Sequence, residues 1–322
     1  MRENFIQISR ETGIPTKKVL DLLFSLRSGE PVENNDLLQR IGVSRNALSQ
    51  AKKLLSSLLK PSSKNTQLKP ETIGEIANLF ESGYKPEETL WSIFESKNFE
   101  ATVSLLEKYK DQRPSPNREY DQFTATIETT AKRACLLNFF EDIEGKRLLF
   151  LGDNDFTSVA VASFRKASEI TVLDIDKRIL DKIDSISKGE GLNINSDNYD
   201  AREILPGLYT GKFDVVFTDP PYTEEGMKLF LSRAVRALDL SNNAARIYIC
   251  YGNSDRAKER FLPIYDAFTA SGLMMRWVFD KFNRYQGAES IGSSSSLFIL
   301  DVTPATESLI LEKYDKPIYT NN

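Results

Sequence analysis

The chain has 322 residues, a formal net charge of −4, 40% hydrophobic and 27% charged residues, which excludes a disordered chain, a collagen and a small disulfide scaffold. Histidine is absent, so Ser-His and Cys-His triads and the HExxH zinc site are excluded. Neither of the two cysteines, Cys135 and Cys250, belongs to a CxxC motif, so a zinc ribbon and a dithiol redox site are excluded too.

Charge is divided unevenly along the chain. Residues 1–65 contain 11 Lys and Arg against 6 Asp and Glu, whereas the remainder contains 31 against 40. A basic small end and an acidic large end predict two modules, and the acidic one suits a cationic ligand better than nucleic acid. No stretch approaches the roughly 20 apolar residues that span a bilayer. The first residues also lack an apolar signal-peptide core, so we expect a soluble, cytoplasmic protein without a membrane partner.

The first 60 residues are predicted to form short helices. The candidate N-caps are Thr16, Asn34 or Asn35, and Ser44. The helices on either side of Gly42 resemble a helix-turn-helix, and we assign residues 1–65 to a winged-helix-like module. One interpretation is DNA binding through Arg45, Asn46, Lys52 and Lys53. The interpretation we favour is a structural or dimerising module whose basic residues are solvated, so that nucleic acid is not the expected partner.

Residues 66–112 are predicted to be a helical connector that ends in a Pro-rich joint, Arg113 to Asn117. Apolar strands then alternate with helices through residues 113–322, which predicts an α/β fold with a Rossmann-like, doubly wound and mainly parallel sheet. The expected strands are Arg147–Leu151, Ile170–Leu173, Phe213–Phe217, Ala245–Cys250, Met274–Phe279 and Leu297–Val302. The expected helices are Ile127–Phe140, Thr157–Ser163, Ile179–Ile186 and Met227–Leu238.

Three acidic motifs follow predicted strands, where such sheets bind ligands. After the first strand comes Gly152-Asp153-Asn154-Asp155, with one glycine instead of the GxGxxG that cradles pyrophosphate. Its carboxylates would repel phosphate and attract a sulfonium or ammonium group. The alternative is an Asx turn that caps the next helix.

The second motif is Asp174-Ile175-Asp176, where we expect Asp174 to bind ribose hydroxyls and Asp176 to fit a helix N-cap better. The third motif is Asp219-Pro220-Pro221-Tyr222. Its prolines fix the backbone, and it resembles the DPPY signature of amino-group methyltransferases. In that signature the Asp accepts hydrogen bonds from the target amine, and the Tyr can pack on a base or a cation.

Taken together, these motifs resemble a single family. The matching segments are Arg113-Pro114-x-Pro116, Tyr120-Asp121-Gln122, 144–149, 152–155, 173–176, 211–215, 219–223 and 226–233. They are similar to the branched-chain polyamine synthases, the N4-bis(aminopropyl)spermidine synthases of thermophilic archaea and bacteria. The resemblance is dense over residues 113–235 and looser through Tyr285.

The resemblance implies an aminopropyltransferase that moves the aminopropyl group of decarboxylated S-adenosylmethionine to a spermidine-like polyamine and releases methylthioadenosine. No tightly bound cofactor and no metal are expected, and a homodimer is implied. The family's first motif is Gly followed by three Asp and Leu. In this chain the central acid, which the resemblance places beside the acceptor amine, is Asn154, which accepts hydrogen bonds but carries no charge.

The candidate site is divided between donor, acceptor and catalytic roles. Expected donor-binding residues are Gly152, Asp153, Asp174, Asp176, Tyr120 and Gln122. Expected acceptor-binding residues are Asp153, Asn154, Asp219, Pro220, Tyr222 and Tyr285. Catalysis is expected from Asp219 as the ligand of the attacking nitrogen, Asp155 as base and Tyr222 as a proton relay.

Two segments near the end of the sequence are expected to be irregular. Phe282 to Gly287 is predicted to form a loop near the acceptor, and Gly292 to Ser296 a flexible turn. Residues 312–322 are predicted to be a frayed end, with a mobile lid as the alternative.

Two other functions remain open on the sequence alone. The first is an S-adenosylmethionine-dependent amino-group methyltransferase, which DPPY favours and the acidic catalytic part disfavours. The second is a DNA-binding regulator whose sheet domain senses a polyamine or nucleoside, which Asn154 would allow if catalysis has decayed.

Overall fold

The computed structural model describes residues 2–81, 83–252, 258–286 and 293–320. Its contacts divide the chain into two compact units. Unit 1 comprises residues 1–93 with 139–141 and 242–244, and unit 2 comprises the rest. The predicted division into a module, a connector and a catalytic domain stays a prediction.

Unit 1 is built from short amphipathic helices around a Leu- and Ile-rich core. Its elements are α1 Arg2–Thr12, α2 Thr16–Leu26, β1 Val32–Glu33, α3 Asn34–Ile41, α4 Arg45–Leu54, β2 Asn65–Thr66 and α5 Ile73–Asn78. A 3₁₀ turn, Pro70–Thr72, precedes α5, and a second 3₁₀ segment follows at Glu87–Glu95. β1 and β2 pair antiparallel. The helix-turn-helix order of α3, Gly42 in the left-handed region (φ +67°) and α4 is confirmed, whereas a winged-helix identity stays a prediction.

Of the predicted caps in unit 1, Ser44 is confirmed, because its hydroxyl accepts from the Ala47 amide at the start of α4. Thr16 is not a cap: Pro15 occupies the N-cap position, and Thr16 is the first residue of α2. Asn34 does not cap α3 either. Its side chain bonds the Ser63 carbonyl and the Thr66 hydroxyl and so ties α3 to the β2 region.

The Lys52 side chain forms hydrogen bonds within unit 1, although the sequence predicted that it would be solvated. Its ammonium group donates to Asn34 Oδ1 and to the carbonyls of Ser62 and Asn65, at 3.1–3.2 Å. Arg45 and Lys53 are exposed. One of the three basic residues considered for DNA contact is therefore occupied inside the unit.

Unit 2 is an eight-stranded sheet with crossover helices. Its strands are β3 Thr124–Ala125, β4 Arg147–Leu151, β5 Glu169–Asp174, β6 Asn195–Asn198, β7 Val215–Thr218, β8 Arg246–Gly252, β9 Met274–Gln286 and β10 Ser294–Asp301. Its helices are α6 Lys97–Lys108, α7 Ile127–Phe139, α8 Thr157–Ala162, α9 Lys177–Glu190, α10 Glu224–Ala237 and α11 Leu262–Ala270.

The strand order is β3-β9-β10-β8-β7-β4-β5-β6. The neighbouring strands β8, β7, β4, β5 and β6 run parallel to one another. Strand β10 is antiparallel to both of its neighbours. The central strands β4, β5, β7 and β8 are mostly apolar and are buried along nearly their whole length. The chain runs outward from β4 through β5 to β6 and then returns to place β7 on the other side of β4. The predicted α/β fold with a doubly wound, mainly parallel sheet is confirmed.

Two segments that were expected to be irregular are ordered strands. Phe282 through Gln286 belongs to β9, and Ser295 and Ser296 are buried in β10. Their polar side chains bond across the sheet, as when Asn283 Nδ2 donates to Ser295 Oγ at 2.9 Å. Gly287 and Gly292, the ends of the two predicted segments, lie outside the described residues.

The predicted frayed end is also wrong for the residues described. Residues 310–320, here called the C-terminal segment, pack against the rest of unit 2, and Ile318 and Tyr319 are buried. The buried Arg233 side chain of α10 donates to the carbonyls of Ile310 and Glu312 at 2.9 and 2.7 Å. Local sequence shows no sign of these tertiary bonds.

No helix in the described part of the chain combines the length and the apolar character needed to cross a membrane.

Candidate active site

A cavity opens at the carboxyl ends of β4, β5 and β7, where the strand order reverses about β4. This is the position at which doubly wound sheets bind ligands. The empty space, counted out to the open mouth, is about 520 Å³. The lining residues are Tyr120, Asp121, Gln122, Phe123, Gly152, Asn154, Asp174, Ile175, Asp219, Pro220, Pro221, Tyr222, Tyr285 and Tyr319. Within the described residues this lining is acidic and aromatic and includes no basic side chain.

Asp174 ends β5 and faces the cavity as predicted. Its two oxygens accept the backbone amides of Asp153 and Asp176, at 2.9 and 2.8 Å. Burial raises the pKa of Asp174 to about 6, and these amide bonds oppose the rise. The carboxylate is therefore held rigidly, with lone pairs left for a ligand.

Asp176 is the N-cap of α9, as predicted, because its side chain accepts from the Arg178 amide at 3.0 Å. The Arg178 guanidinium and the Gln122 amide also donate to it, at 2.6 and 3.2 Å. Burial favours a higher pKa for Asp176, but these hydrogen bonds lower it overall. Asp176 is not among the residues that line the cavity, whereas Gln122 is. A role for Asp176 in donor binding stays a prediction.

Asp153, the first acid of the first motif, is not among the residues that line the cavity. Its carboxylate accepts the amides of Thr157 and Ser158, at 2.7 and 3.1 Å, at the start of α8. It is 3% exposed, and burial raises its pKa to about 8. Of the alternative interpretation, the capping of the next helix fits this residue, although its bonds reach four and five residues on and do not form an Asx turn. A direct contact with donor or acceptor, as expected from the sequence, does not fit its position.

Asn154 does reach the cavity. Its side-chain amide donates to the carbonyl of Phe123 at 2.9 Å. A carboxylate at this position could not make that bond, since it has no hydrogen to donate at neutral pH. The amide therefore anchors the 120–123 wall of the cavity.

Asp155 and Asp219 are joined by Arg133, a residue of α7 that sequence reasoning missed. Arg133 Nη1 donates to Asp155 Oδ2 at 2.8 Å, and Nη2 donates to Asp219 Oδ2 at 2.7 Å. The other Asp155 oxygen accepts the Ala125 amide at 2.6 Å. Asp155 is 2% exposed and is not among the lining residues. Its expected role as a base does not fit this position, because neither oxygen faces the cavity free of a partner.

A signal for Arg133 was present in the sequence. It stands among small and apolar residues of a helix that packs on the sheet, in the stretch Ala131-Lys132-Arg133-Ala134-Cys135. A guanidinium on the buried side of such a helix needs carboxylate partners. The strand-end motifs supply them.

Asp219 is the carboxylate that connects this cluster with the cavity. Its side chain is 15% exposed and lines the cavity. Tyr285 donates to the same Oδ2 atom that Arg133 reaches, at 2.7 Å. Burial raises the pKa of Asp219, and Arg133 opposes that rise. Both of these bonds reach Oδ2, so Oδ1 is the oxygen that we expect to receive a ligand.

Tyr222 and Tyr285 provide aromatic walls next to Asp219. The Tyr222 ring packs edge-on against Phe123, with centroids 5.5 Å apart, and its carbonyl accepts the Tyr251 hydroxyl at 2.7 Å. Burial raises the pKa values of the Tyr222 and Tyr285 phenols far above neutrality. Both rings are therefore neutral surfaces suited to an alkylammonium chain.

The remaining wall comes from two segments far apart in sequence. Tyr120 packs against Tyr319 with ring centroids 5.7 Å apart. The Thr320 amide donates to both oxygens of Asp121, at 3.1 and 2.9 Å. Tyr319 is thus a cavity residue that the sequence did not reveal.

The chain was compared with known proteins. The sequence profile of the family described as the branched-chain polyamine synthase A C-terminal domain matches residues 103–318. The chain belongs to this family. An uncharacterised protein of Methanocaldococcus jannaschii is 40% identical over 197 residues, which is 61% of this chain and 49% of that protein.

The same archaeon has a second relative in the family. It is an N(4)-bis(aminopropyl)spermidine synthase, 38% identical over 146 residues, which is 44% of this chain and 41% of the synthase. The matched segments thus span about half or less of these two curated relatives.

A solved structure extends the likeness to the whole chain. The branched-chain polyamine synthase from Thermus thermophilus, in complex with N4-aminopropylspermidine and 5′-methylthioadenosine, has a TM-score of 0.64. The likeness covers 100% of this chain and 98% of that one, at 21% identity. It shows that the two proteins share a fold.

Proposed function

We propose that this chain is an aminopropyltransferase that acts on a polyamine amine. The observation that carries the proposal is the cavity at the strand ends, whose wall is built of carboxylates and aromatic rings. Such a wall suits a sulfonium donor and an amine acceptor, which are cations, and it disfavours anions. Family membership supports the same chemistry, since a named relative is an N(4)-bis(aminopropyl)spermidine synthase.

The proposed donor is decarboxylated S-adenosylmethionine, with 5′-methylthioadenosine as the product. Asp174 would accept hydrogen bonds from the ribose hydroxyls, with Gly152 giving the close backbone turn beside them. Tyr120, Gln122 and Tyr319 would enclose the nucleoside. Asp176 would support this side by holding Gln122.

The proposed acceptor side is centred on Asp219. Its free Oδ1 would accept a hydrogen bond from the attacking nitrogen, with Pro220 fixing its direction. Tyr222 and Tyr285 would pack on the methylene chain of the amine, and Asn154 would offer a neutral acceptor. Asp153 and Asp155 would act from behind the wall, as a helix cap and as a counter-ion.

The reaction needs a neutral amine in line with the carbon–sulfur bond of the donor. The nitrogen lone pair forms the new C–N bond while the C–S electron pair stays on sulfur, which becomes a neutral thioether. The amine then loses one proton, which Asp219 or water accepts. Since the sulfonium is a good leaving group, positioning can provide most of the acceleration.

Mass spectrometry of two parallel reactions tests the proposal. Both contain the protein and a mixture of polyamines, one with decarboxylated S-adenosylmethionine and the other with S-adenosylmethionine. We expect an aminopropyl increment and methylthioadenosine in the first reaction only. A methyl increment in the second would replace the proposal with the methyltransferase function that DPPY also allows. The mass of the product names the acceptor and the number of additions.

The role of the N-terminal part is proposed separately. We propose that residues 1–65 form a structural or dimerising module, with residues 66–112 as a connector and residues 113–322 as the catalytic part. The use of Lys52 inside unit 1 supports a structural role over DNA contact. Action as a homodimer and in the cytoplasm stay predictions.

A further inference from the structure

The Arg133 side chain is 1% exposed and makes four hydrogen bonds with its guanidinium group. Besides Asp155 and Asp219, it donates to Asn283 Oδ1 at 2.8 Å and to Tyr285 Oη at 3.1 Å. The guanidinium also lies 5.3 Å from the centroid of the Phe217 ring. Its orientation is therefore fixed from several strands, directly behind the acceptor wall of the cavity.

The groups around Arg133 form a charge-balanced cluster. The carboxylates come from the loop after β4 (Asp155) and the end of β7 (Asp219). Arg113 stands on the other side of Asp155 and donates to its carbonyl at 2.8 Å. The remaining titratable groups that face Arg133 are Cys250 of β8, Tyr222 after β7 and Tyr285 of β9. Burial raises the pKa values of all three, which keeps them neutral.

This balance bears on the difficulty that a polyamine acceptor poses. A free alkylamine ionises near the lysine pKa of about 10.4 and is almost entirely ammonium at neutral pH. A pair of carboxylates without a counter-ion would stabilise the ammonium form further, and that form has no lone pair for attack. A fixed guanidinium behind the pair acts in the opposite direction.

We propose that Arg133 is a positioning residue that offsets one of the two negative charges of the carboxylate pair, so that Asp219 receives the acceptor nitrogen as a neutral amine. Arg133 and Tyr285 both donate to Oδ2 of Asp219. The amine therefore meets Oδ1 as a hydrogen-bond acceptor whose negative charge is partly neutralised. This inference rests on the proposed aminopropyl transfer and adds how the nucleophile is kept deprotonated.

The test is the pH profile of kcat at saturating donor and acceptor, which reports ionisations in the enzyme–substrate complex, measured for the wild type and four variants. Arg133→Met removes the positive charge, and Asp155→Asn removes a negative one. The double variant Arg133→Met/Asp155→Asn restores the net charge of the cluster. Arg133→Lys keeps the charge but loses the planar fork of donors, which controls for packing and geometry.

We expect the alkaline rise of kcat to move up by about one pH unit in Arg133→Met and down by about one unit in Asp155→Asn, because a nearby charge commonly shifts the ionisation of a bound group by 1–3 units. At pH 7 one unit corresponds to about a tenfold change in the neutral amine fraction. The double variant and Arg133→Lys are expected to keep the wild-type midpoint, whatever their maximal rates.

If the rate falls by the same factor at every pH and the midpoint of its alkaline rise does not move in either single variant, the proposal is overturned and Arg133 is a structural residue. Arg133→Met leaves the buried Asp155 and Asp219 without this partner, which can prevent folding. In that case Asp155→Asn and the double variant decide between the two outcomes. A wild type that transfers no aminopropyl group refutes the proposed function itself. That result differs from an active wild type with unshifted variants.

Discussion

Asp219 connects a buried cluster with the cavity, since Arg133 and Tyr285 donate to its Oδ2 atom and the residue lines the cavity. The two prolines after it restrict the backbone that carries it. A side chain held from behind loses little further freedom when it binds an amine. Its removal should therefore affect the reaction more than the fold.

We expect Asp219→Asn to lower kcat/KM for the acceptor by about 10²-fold or more, the size usual for a lost positioned proton acceptor. The asparagine retains the volume, and Arg133 keeps Asp155 as a partner. Initial rates and thermal unfolding measured together separate activity from stability. Asp181→Asn, on the exposed side of α9, is the matched control. An unchanged rate in Asp219→Asn would remove this residue from the acceptor site.

Asp174 gives a pH dependence on the donor side. Its pKa is raised by burial to about 6, so the carboxyl takes up a proton as the pH falls through that value. The protonated form accepts fewer hydrogen bonds from ribose hydroxyls. We expect the Kd of 5′-methylthioadenosine to rise below about pH 6, by at most tenfold per pH unit. Calorimetry from pH 5 to about pH 8 checks this, and a flat profile in Asp174→Asn should accompany it.

The strand-end acids could be predicted from sequence because each follows an apolar run that is buried in the sheet. Arg133 could not be placed with the same ease. A single arginine in a helix is usually solvated, and its partners, Asp155 and Asp219, are 22 and 86 positions away. Asp153 shows the converse. The sequence suggested helix capping as the alternative, and the bonds from the first amides of α8 to its carboxylate show that capping.

At the scale of elements, the C-terminal segment depends on the start of α10. Thr223 caps α10 by accepting the Gly226 amide at 2.9 Å, and its hydroxyl donates to the Ile318 carbonyl. A Cβ at Gly226 would lie 2.5 Å from that carbonyl oxygen and 2.8 Å from Pro221 Cβ. The absence of a side chain at this position thus allows the segment to approach.

We therefore expect Gly226→Ala to displace residues 318–320 and raise the KM for the donor several-fold, because Tyr319 would leave the cavity wall. Hydrogen exchange at Tyr319 and Thr320 and steady-state kinetics measure the two effects. Gly207→Ala is the control, since a Cβ there meets nothing within 4 Å. Unchanged exchange and KM would show that the segment tolerates the extra methyl group.

Elements differed in how well periodicity predicted them. β4 was predicted residue for residue, because five consecutive positions carry a buried strand. β6, Asn195–Asn198, was missed, since it is a polar edge strand held to β5 by backbone pairing. The second half of β9 was read as a loop because its polar residues, such as Asn283, find their partners only across the sheet.

At the scale of the whole chain, the basic charge of residues 1–65 raises the question of DNA binding, which an affinity measurement answers. Arg45 and Lys53 are exposed, but Lys52 is committed to Asn34 and two carbonyls. We expect duplex DNA to bind no more tightly than about 10⁻⁶ M at physiological salt, the upper end of non-specific affinity. Fluorescence anisotropy at two salt concentrations measures this. A tighter complex that persists at high salt would restore the DNA-binding interpretation.

Two relatives of this chain occur together in Methanocaldococcus jannaschii, one named as a synthase and one uncharacterised. Asn154 lines the cavity and carries no charge, so it bears on which amine this chain accepts. For this reason the mass-spectrometric assay should include diamines and triamines as well as spermidine.

The bond between Asp121 and Thr320 spans 199 positions of the chain. A ribosome that adds roughly 5–20 residues per second takes roughly 10–40 s to cover that distance. The nascent chain can assemble its central strands during this interval while the cavity still lacks Tyr319. This wall of the cavity therefore closes only after Tyr319 has been synthesised, and until then Tyr120 lacks the ring that packs against it.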